Sequence, residues 1–233
     1  METFIDEWIS LIKSKSGERG IFNRVASQKQ AAKWGRRDPN LNYGTNPCSE
    51  IILRDKQFCN LTEVVIREED TQETLLEKVR IATVLGTFQS TLDKFQFLSA
   101  DWHKNTTEER LLGVSLTGIM DSKMMANPDP KFLEQMRDEA RKTNEKYANL
   151  LDVPVSAAIS CIKPSGTVSQ LTNASSGIHS RHSPYYIRTV RTDKKDALYE
   201  FLKEKGVPVE DCVMDDYHLT AVFSFPIQSP KGS

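Results

Sequence analysis

Apolar positions along the chain recur with two periods, and the change from one to the other marks out its elements. Ile5, Trp8, Ile9 and Ile12 stand three or four residues apart, the spacing of an amphipathic helix over residues 1–15, which Gly17-Glu18-Arg19-Gly20 ends. A polar helical stretch is expected from Val25 to Trp34. Residues 36–46, RRDPNLNYGTN, are rich in turn formers and predict a loop, followed by a short β-branched strand from Glu50 to Leu53. Residues 71–98 read as one or two helices, with a capping signal at Thr71-Gln72-Glu73-Thr74 and apolar Leu75, Leu76, Val79 and Val84. Arg110 to Gly118 reads as a strand ending in a glycine turn. Asp129, with Pro130 at the first helical position, opens the clearest helix. Its stripe of Leu133, Met136, Ala140, Thr143, Tyr147 and Leu150 predicts a core-facing side. Val155 to Ile162 predicts a buried strand, Asp193 to Lys205 an amphipathic helix ended by Gly206, and Leu219 to Phe225 a last strand. Strands alternating with helices predict an α/β fold.

Composition narrows the function classes. The chain has 233 residues, enough for one large domain or two small ones, and a net charge of −1, which suggests no general nucleic-acid or membrane surface. Four cysteines without a secretory leader imply a reducing compartment, so a cytoplasmic protein is expected. The longest apolar runs fall far short of the roughly 20 residues that span a bilayer. Residues 229–233 form a polar tail expected to fray.

Candidate chemistry centres on Asn46-Pro47-Cys48-Ser49-Glu50, with Cys59-Asn60-Leu61 beginning eleven residues after Cys48. The residue before a proline is pushed out of the helical region, so Cys48 is expected on a tight turn. A thiol there can serve as nucleophile, metal ligand or redox partner. A nucleophilic cysteine needs a histidine base, and the nearest in sequence are His103, His179 and His182. A cysteine taken alone is more often a core residue than a catalyst. The second chemical signal is Pro164-Ser165-Gly166-Thr167-Val168-Ser169, small and hydroxyl residues after a strand and before a helix, where free backbone N–H groups favour an anion. It lacks the G-x-x-x-x-G-K-[ST] pattern of a P-loop, and taken alone such a turn is usually only a helix cap. His179 and His182 lack the further ligands that a metal site needs, so no metal is expected.

NPCSE followed by FCNL resembles the catalytic loop of ribonucleotide reductases, and the short gap from Cys48 to Cys59 resembles the adenosylcobalamin-dependent class II branch. PSGTVS resembles that family's substrate-phosphate loop, and Gly177-Ile178-His179 followed by Tyr185-Tyr186-Ile187-Arg188-Thr189-Val190-Arg191 resembles a later strand of it. The string from Ser14 to Arg24 resembles the segment upstream of the catalytic loop. The resemblance implies part of a ten-stranded α/β barrel over residues 1–228, with a central finger loop in the catalytic stretch 44–61 and a phosphate loop at 163–170. It implies Cys48 as the thiyl radical that takes hydrogen from C3′ of a ribonucleotide, Glu50 as base for the 3′-hydroxyl and Asn46 as its hydrogen-bonding amide. Cys59 is implied as one of two reducing cysteines, its partner lying in an upstream half-barrel, with Cys161 and Cys212 matching no such role. The implied setting is deoxyribonucleotide synthesis for DNA replication. Adenosylcobalamin would be held mainly outside or at the edge of this chain. A complementary upstream half and a thioredoxin-type or dithiol reductant are the implied partners. The competing expectations are a catalytically silent piece completing a second chain's barrel, a glycyl-radical enzyme and a cysteine hydrolase.

Overall fold

The computed structural model describes residues 2–15, 20–33 and 35–230. Two compact units divide it, one of Met1–Val64, Glu73–Ser115 and Leu133–Pro164, the other of Val65–Gln72, Leu116–Phe132 and Ser165–Ser233. The expected turn at Gly17-Glu18-Arg19, the end of the second helix at Trp34 and the last residues of the polar tail lie outside the described residues.

The first helix, α1 (Glu2–Ser14), follows its apolar spacing, yet none of its residues is buried and Ile12 is 63% exposed. In α2 (Arg24–Ala32) the Asn23 side chain caps the start by accepting from the Ala26 amide at 2.9 Å. The stretch expected as a loop contains a strand: β1 (Tyr43–Thr45) pairs antiparallel with β2 (Ile52–Arg54), Tyr43 opposite Arg54 and Thr45 opposite Ile52. Tyr43 and Thr45 are strand formers hidden among turn formers. Residues 46–51 are therefore the turn of a β-hairpin.

A buried ion pair holds that hairpin. Arg37 donates from Nε and Nη2 to the two oxygens of Glu109 at 3.2 and 2.7 Å, and both side chains are 7% exposed. Its Nη1 donates to the Ile52 carbonyl at 2.8 Å, and its guanidinium lies 4.7 Å from the centre of the buried Tyr43 ring. Gln57 completes the network, donating to Glu109 at 2.8 Å and accepting from the Arg54 amide at 2.9 Å. Glu109 is the last residue of α4 (Ala100–Glu109), which follows β3 (Asn60–Val65) and α3 (Gln72–Gln89).

β3 pairs with β4 (Leu112–Thr117). The Asn60 amide donates to Leu111 and the Ile66 amide to Thr117, one constant offset, as parallel strands require. On the other side of β4, Leu112 donates to Ala158, Val114 to Ile159, and Cys161 to Val114, with a parallel bridge from Val114 to Ser160. The strand expected from Val155 to Ile162 is thus reduced to one bridge within a hydrogen-bonded stretch bracketed by Pro154 and Pro164. All of β4 except Leu116 is buried, as befits a parallel strand covered on both faces.

Two further helices follow, α5 (Lys123–Ala126) and α6 (Pro130–Leu150). In α6 the buried side is Phe132, Met136, Ala140, Thr143, Asn144 and Ala148, while Leu133 and Leu150 are 41% and 69% exposed. The middle of the expected stripe, Met136, Ala140 and Thr143, is buried, and its ends depart from the buried side because the fixed point of that side is polar. Asn144, fully buried, donates to Thr87 and Ser156 and accepts from the Ser156 amide, all at 3.0 Å.

The second unit carries the one-turn α7 (Val168–Leu171), β5 (Tyr185–Asp193), α8 (Ala197–Glu204), β6 (Val209–Asp211) and β7 (Thr220–Gln228). These strands form an antiparallel sheet in the order β5-β7-β6, with β5 paired to β7 over nine residues from Tyr185↔Gln228 to Asp193↔Thr220. Cys212, expected in a polar connection, is buried after β6. Arg181 binds both oxygens of Asp121 at 2.8 and 2.9 Å, and Asp121 accepts from the Ser175 amide.

The Arg37–Glu109 pair sets a stability expectation. Replacing Arg37 with Met leaves a buried carboxylate without its cation and should cost about 3–5 kcal/mol in urea unfolding. Arg37→Met combined with Glu109→Gln should recover a large part of that loss. Equal losses in the single and double variants would show that the pair does not hold the hairpin.

Candidate functional site

The hairpin turn is built by its own sequence. Pro47 sets the corner, the Ser49 amide donates to the Asn46 carbonyl at 3.0 Å, and Ser49 takes a left-handed φ of +64°. The Asn46 side-chain oxygen accepts from the Ile51 amide at 3.1 Å and the Thr45 hydroxyl at 3.4 Å, which ties the two ends of the turn together. That leaves the Asn46 NH2 as the group it can offer to a ligand. Cys48 is exposed at the tip. Two residues on, the Glu50 side chain is 1% exposed, and its carboxylate lies 3.5 Å from Lys163 Nζ without a hydrogen bond.

Below the turn, strand alternation gathers a second set of groups on one face. Cys59, Leu61 and Glu63 alternate along β3 and its approach, Gly113 and Ser115 along β4, and Cys161 and Lys163 along the bridged stretch. A Cβ added to Gly113 would lie 3.0 Å from the Cys161 sulfur and 3.1 Å from the Cys59 sulfur, so the sulfurs can be no farther apart than those two distances together. The same atom would meet Leu61 Cδ2 at 2.4 Å, so only glycine fits here. The Lys163 amide donates to the Ser115 hydroxyl at 2.9 Å.

Burial governs the electrostatics. It pushes the Cys59 thiol up to about 12, with Cys161 and Glu50 adding to the shift and Lys163 opposing it. The Cys161 thiol is pushed up to about 11, again first by burial and then by Glu50. Burial also raises the Glu63 carboxyl above its ordinary value against the Lys163 charge, and both Glu63 oxygens are buried without a hydrogen-bond partner. Both thiols therefore stay protonated at neutral pH.

Can Cys59 and Cys161 form a disulfide? They flank β4, so their backbones stand about two inter-strand spacings apart, roughly 9–10 Å. That exceeds the ~7 Å limit between Cα atoms for a bridge. The sulfurs are neighbours, but the backbones are placed against a bond.

Sequence reasoning brought Asn46, Cys48, Glu50 and Cys59 to one loop and its approach. Lys163, Glu63 and the thiol of Cys161 were missed as members of the cluster, although the alternation Cys161–Lys163 beside Gly113–Ser115 carried the signal. In the second unit, Pro164 leads into Ser165, which is buried with φ +56°, and Ser169 is buried too. The Ser169 amide donates to the Ser165 carbonyl, and the amides of Gln170 and Leu171 both donate to Thr167. Open space surrounds the Gly166 Cα. Among the described residues, no group of three or more His, Cys, Asp or Glu could hold a metal ion, and no helix is long and apolar enough to cross a membrane.

No protein-family model matches the chain. It is homologous to proteins named as adenosylcobalamin-dependent ribonucleoside-triphosphate reductases. It is 32% identical to a probable one from Dictyostelium discoideum, over 81% of this chain and 24% of that protein. Identity is 29% with the enzyme of Lacticaseibacillus paracasei, over 95% of this chain and 33% of the relative. The chain thus spans about a quarter to a third of the length of these relatives. A crystal structure of a B12-dependent class II ribonucleotide reductase superposes on 81% of the chain and 30% of its own, with a TM-score of 0.66 at 24% identity. The mixed helix and strand fold is therefore one this chain has in common with part of that enzyme.

The thiols should separate by reactivity. At pH 8 Cys48 should alkylate first with iodoacetamide. Only about one part in ten thousand of a thiol ionising near pH 12 is thiolate at that pH. The native-state advantage of the protonated buried thiols is complete below the ordinary thiol range and is lost as pH rises through about 11 to 12. Peptide mass spectrometry showing Cys59 labelled as fast as Cys48 in the folded chain would contradict this order.

Proposed function

We propose that this chain is a catalytic segment of an adenosylcobalamin-dependent ribonucleotide reductase, forming part of a ten-stranded α/β barrel with the hairpin turn as its finger loop. The observation that carries the reading is the turn itself, with an exposed thiol at Cys48, a buried carboxylate two residues on and a protonated Cys59 thiol in the cluster below, in a stretch homologous to enzymes of that name.

The donor set fits the cofactor those relatives are named for. Cys48 is an exposed thiol on a braced turn, suited to giving up a hydrogen atom rather than to binding metal. When bound, adenosylcobalamin supplies the radical that removes this hydrogen. The Cys48 thiyl then takes a hydrogen atom from C3′ of the substrate ribose, and Glu50 accepts the 3′-hydroxyl proton. Asn46 donates from its amide NH2 to a ribose hydroxyl. Cys59, kept as a thiol by burial, supplies a proton to the departing 2′-hydroxyl and one of two reducing equivalents. Overall, a ribonucleotide and two thiols become a deoxyribonucleotide, water and a disulfide, and a thioredoxin-type protein or small dithiol restores the thiols. The second thiol comes from a complementary upstream segment, since the backbone spacing of Cys161 disfavours a bond to Cys59. Substrate phosphates lie on Pro164, Ser165, Gly166, Thr167, Val168 and Ser169, with the open space at Gly166 as the approach.

A second reading, a catalytically silent piece that completes another chain's barrel, is favoured by one feature of α3. Opposite its buried side, Ile81, Leu85 and Phe88 form a second apolar stripe, 47–60% exposed.

Three experiments test the proposal. Cys48→Ala should abolish nucleotide reduction in a complex reconstituted with adenosylcobalamin and the upstream half while leaving the unfolding midpoint unchanged; turnover above a few per cent of wild type would remove Cys48 from the radical role. The 233-residue chain alone, assayed over many turnovers with a chemical dithiol, should form no deoxyribonucleotide, and adding the upstream half should restore the reaction. Product from the chain alone would bring Cys161 or Cys212 into the redox role. Gly166→Val should weaken nucleotide binding by calorimetry, because close backbone approach is lost.

A further inference from the structure

A cavity of about 290 Å³ lies within the first unit, between the end of α2, the hairpin, the start of β4 and α6. Its walls carry four arginines, Arg36, Arg37, Arg137 and Arg141, against the single carboxylate of Glu50. Arg37 has its carboxylate partner in Glu109 and Arg137 in Asp138, and Glu50 is matched by Lys163. Arg36 is different. Its Nη2 is buried and has no hydrogen-bond acceptor. Burial and the charge of Arg141 both bear on its guanidinium, only partly offset by Glu145.

A buried N–H of a charged group without an acceptor is costly, and like charges that face each other add to the cost. Both costs are relieved by an anion with several oxygens between them. Guanidinium forks on two walls match phosphate geometry in a way that ammonium groups do not. Arg137 and Arg141 stand one helical turn apart on α6, so they present to the same side. The volume is at the lower end of ligand pockets, about 300 Å³, which suits a phosphate chain and not a large organic ligand.

We infer that the Arg36–Arg141 cavity is an oxyanion site that takes a phosphate or polyphosphate group. It shares Glu50 and Cys161 with the site above, none of its lining residues belongs to the Ser165–Ser169 turn, and it does not rest on the reductase reading. The phosphate chain can be inorganic or can belong to a nucleotide, and the chemistry that recognises it is the same.

The test uses the full chain, tripolyphosphate and a ribonucleoside triphosphate as probes, and calorimetry up to about 10 mM. Tripolyphosphate should bind, raise the unfolding midpoint, and weaken as salt rises. Arg36→Met and Arg141→Met should each lower its affinity at least tenfold, whereas Gly166→Val should retain the site. Tighter binding of the nucleotide, lost in the same two variants, would assign the site to a nucleotide's phosphates; equal affinity would assign it to the phosphate chain alone. Should Arg36→Met fail to fold by circular dichroism, Arg141→Met carries the comparison. No binding, binding untouched by both arginine variants, or binding lost in Gly166→Val alone would overturn the inference. Failure of the reductase reading would instead appear as absent turnover in the reconstituted complex with this anion binding intact.

Discussion

The hairpin turn that carries Cys48 and Glu50 depends on one buried contact far from its tip. Arg37, Glu109 and Gln57 form a closed set of charge-assisted hydrogen bonds, with Tyr43 lying against the guanidinium. Arg37 and Tyr43 come from the approach to the hairpin, Ile52 and Gln57 from its exit, and Glu109 from the end of α4. The network therefore fixes both legs of a two-stranded hairpin that would be marginal alone. With the legs held, the geometry of the six-residue turn decides where Cys48 and Glu50 point. The pair is an expensive way to hold a loop, because two charges are taken out of water. It is justified only if register matters more than stability.

Parallel pairing on both sides of β4 does the remaining work of assembly. One face of three adjacent strand segments carries Cys59, Glu63, Ser115, Cys161 and Lys163, and the missing side chain of Gly113 leaves room for both sulfurs. Burial then keeps both thiols protonated. A proton-holding thiol, an inward carboxylate and a lysine between two acids are the elements that proton and hydrogen-atom chemistry requires, whatever the substrate.

Much of this was legible in the chain. Pro47 after Asn46 announced the turn, and the capping and glycine signals placed the start of α3, all of α6 and the end of α8 to within a few residues, whereas the helix expected to run on to residue 98 stops at Gln89. The failures have local physical causes. β1 was hidden because three strand residues sat within a run of turn formers. The buried face of α6 was misjudged because Asn144, polar and satisfied by Thr87 and Ser156, occupies the core position that an apolar stripe assigns elsewhere. The strand before Pro164 shrank because prolines bracket it at Pro154 and Pro164. The thiol and carboxylate cluster was missed because its members come from positions about 50 residues apart: alternation shows which residues share a face of each segment, but not the parallel pairing that joins the segments.

Ser49 carries a further consequence. A side chain in the left-handed region strains the backbone by roughly 1 kcal/mol or more unless it is glycine, asparagine or aspartate. The turn is therefore not the lowest state of its own six residues. It holds one strained residue between two legs that the clamp at its base keeps in place. Any motion that loosens the clamp releases the tip toward other turn shapes, so the thiol's position and the distant ion pair form one mechanical unit. Substitutions at the base should then be felt as loss of aim at Cys48 before they are felt as loss of fold.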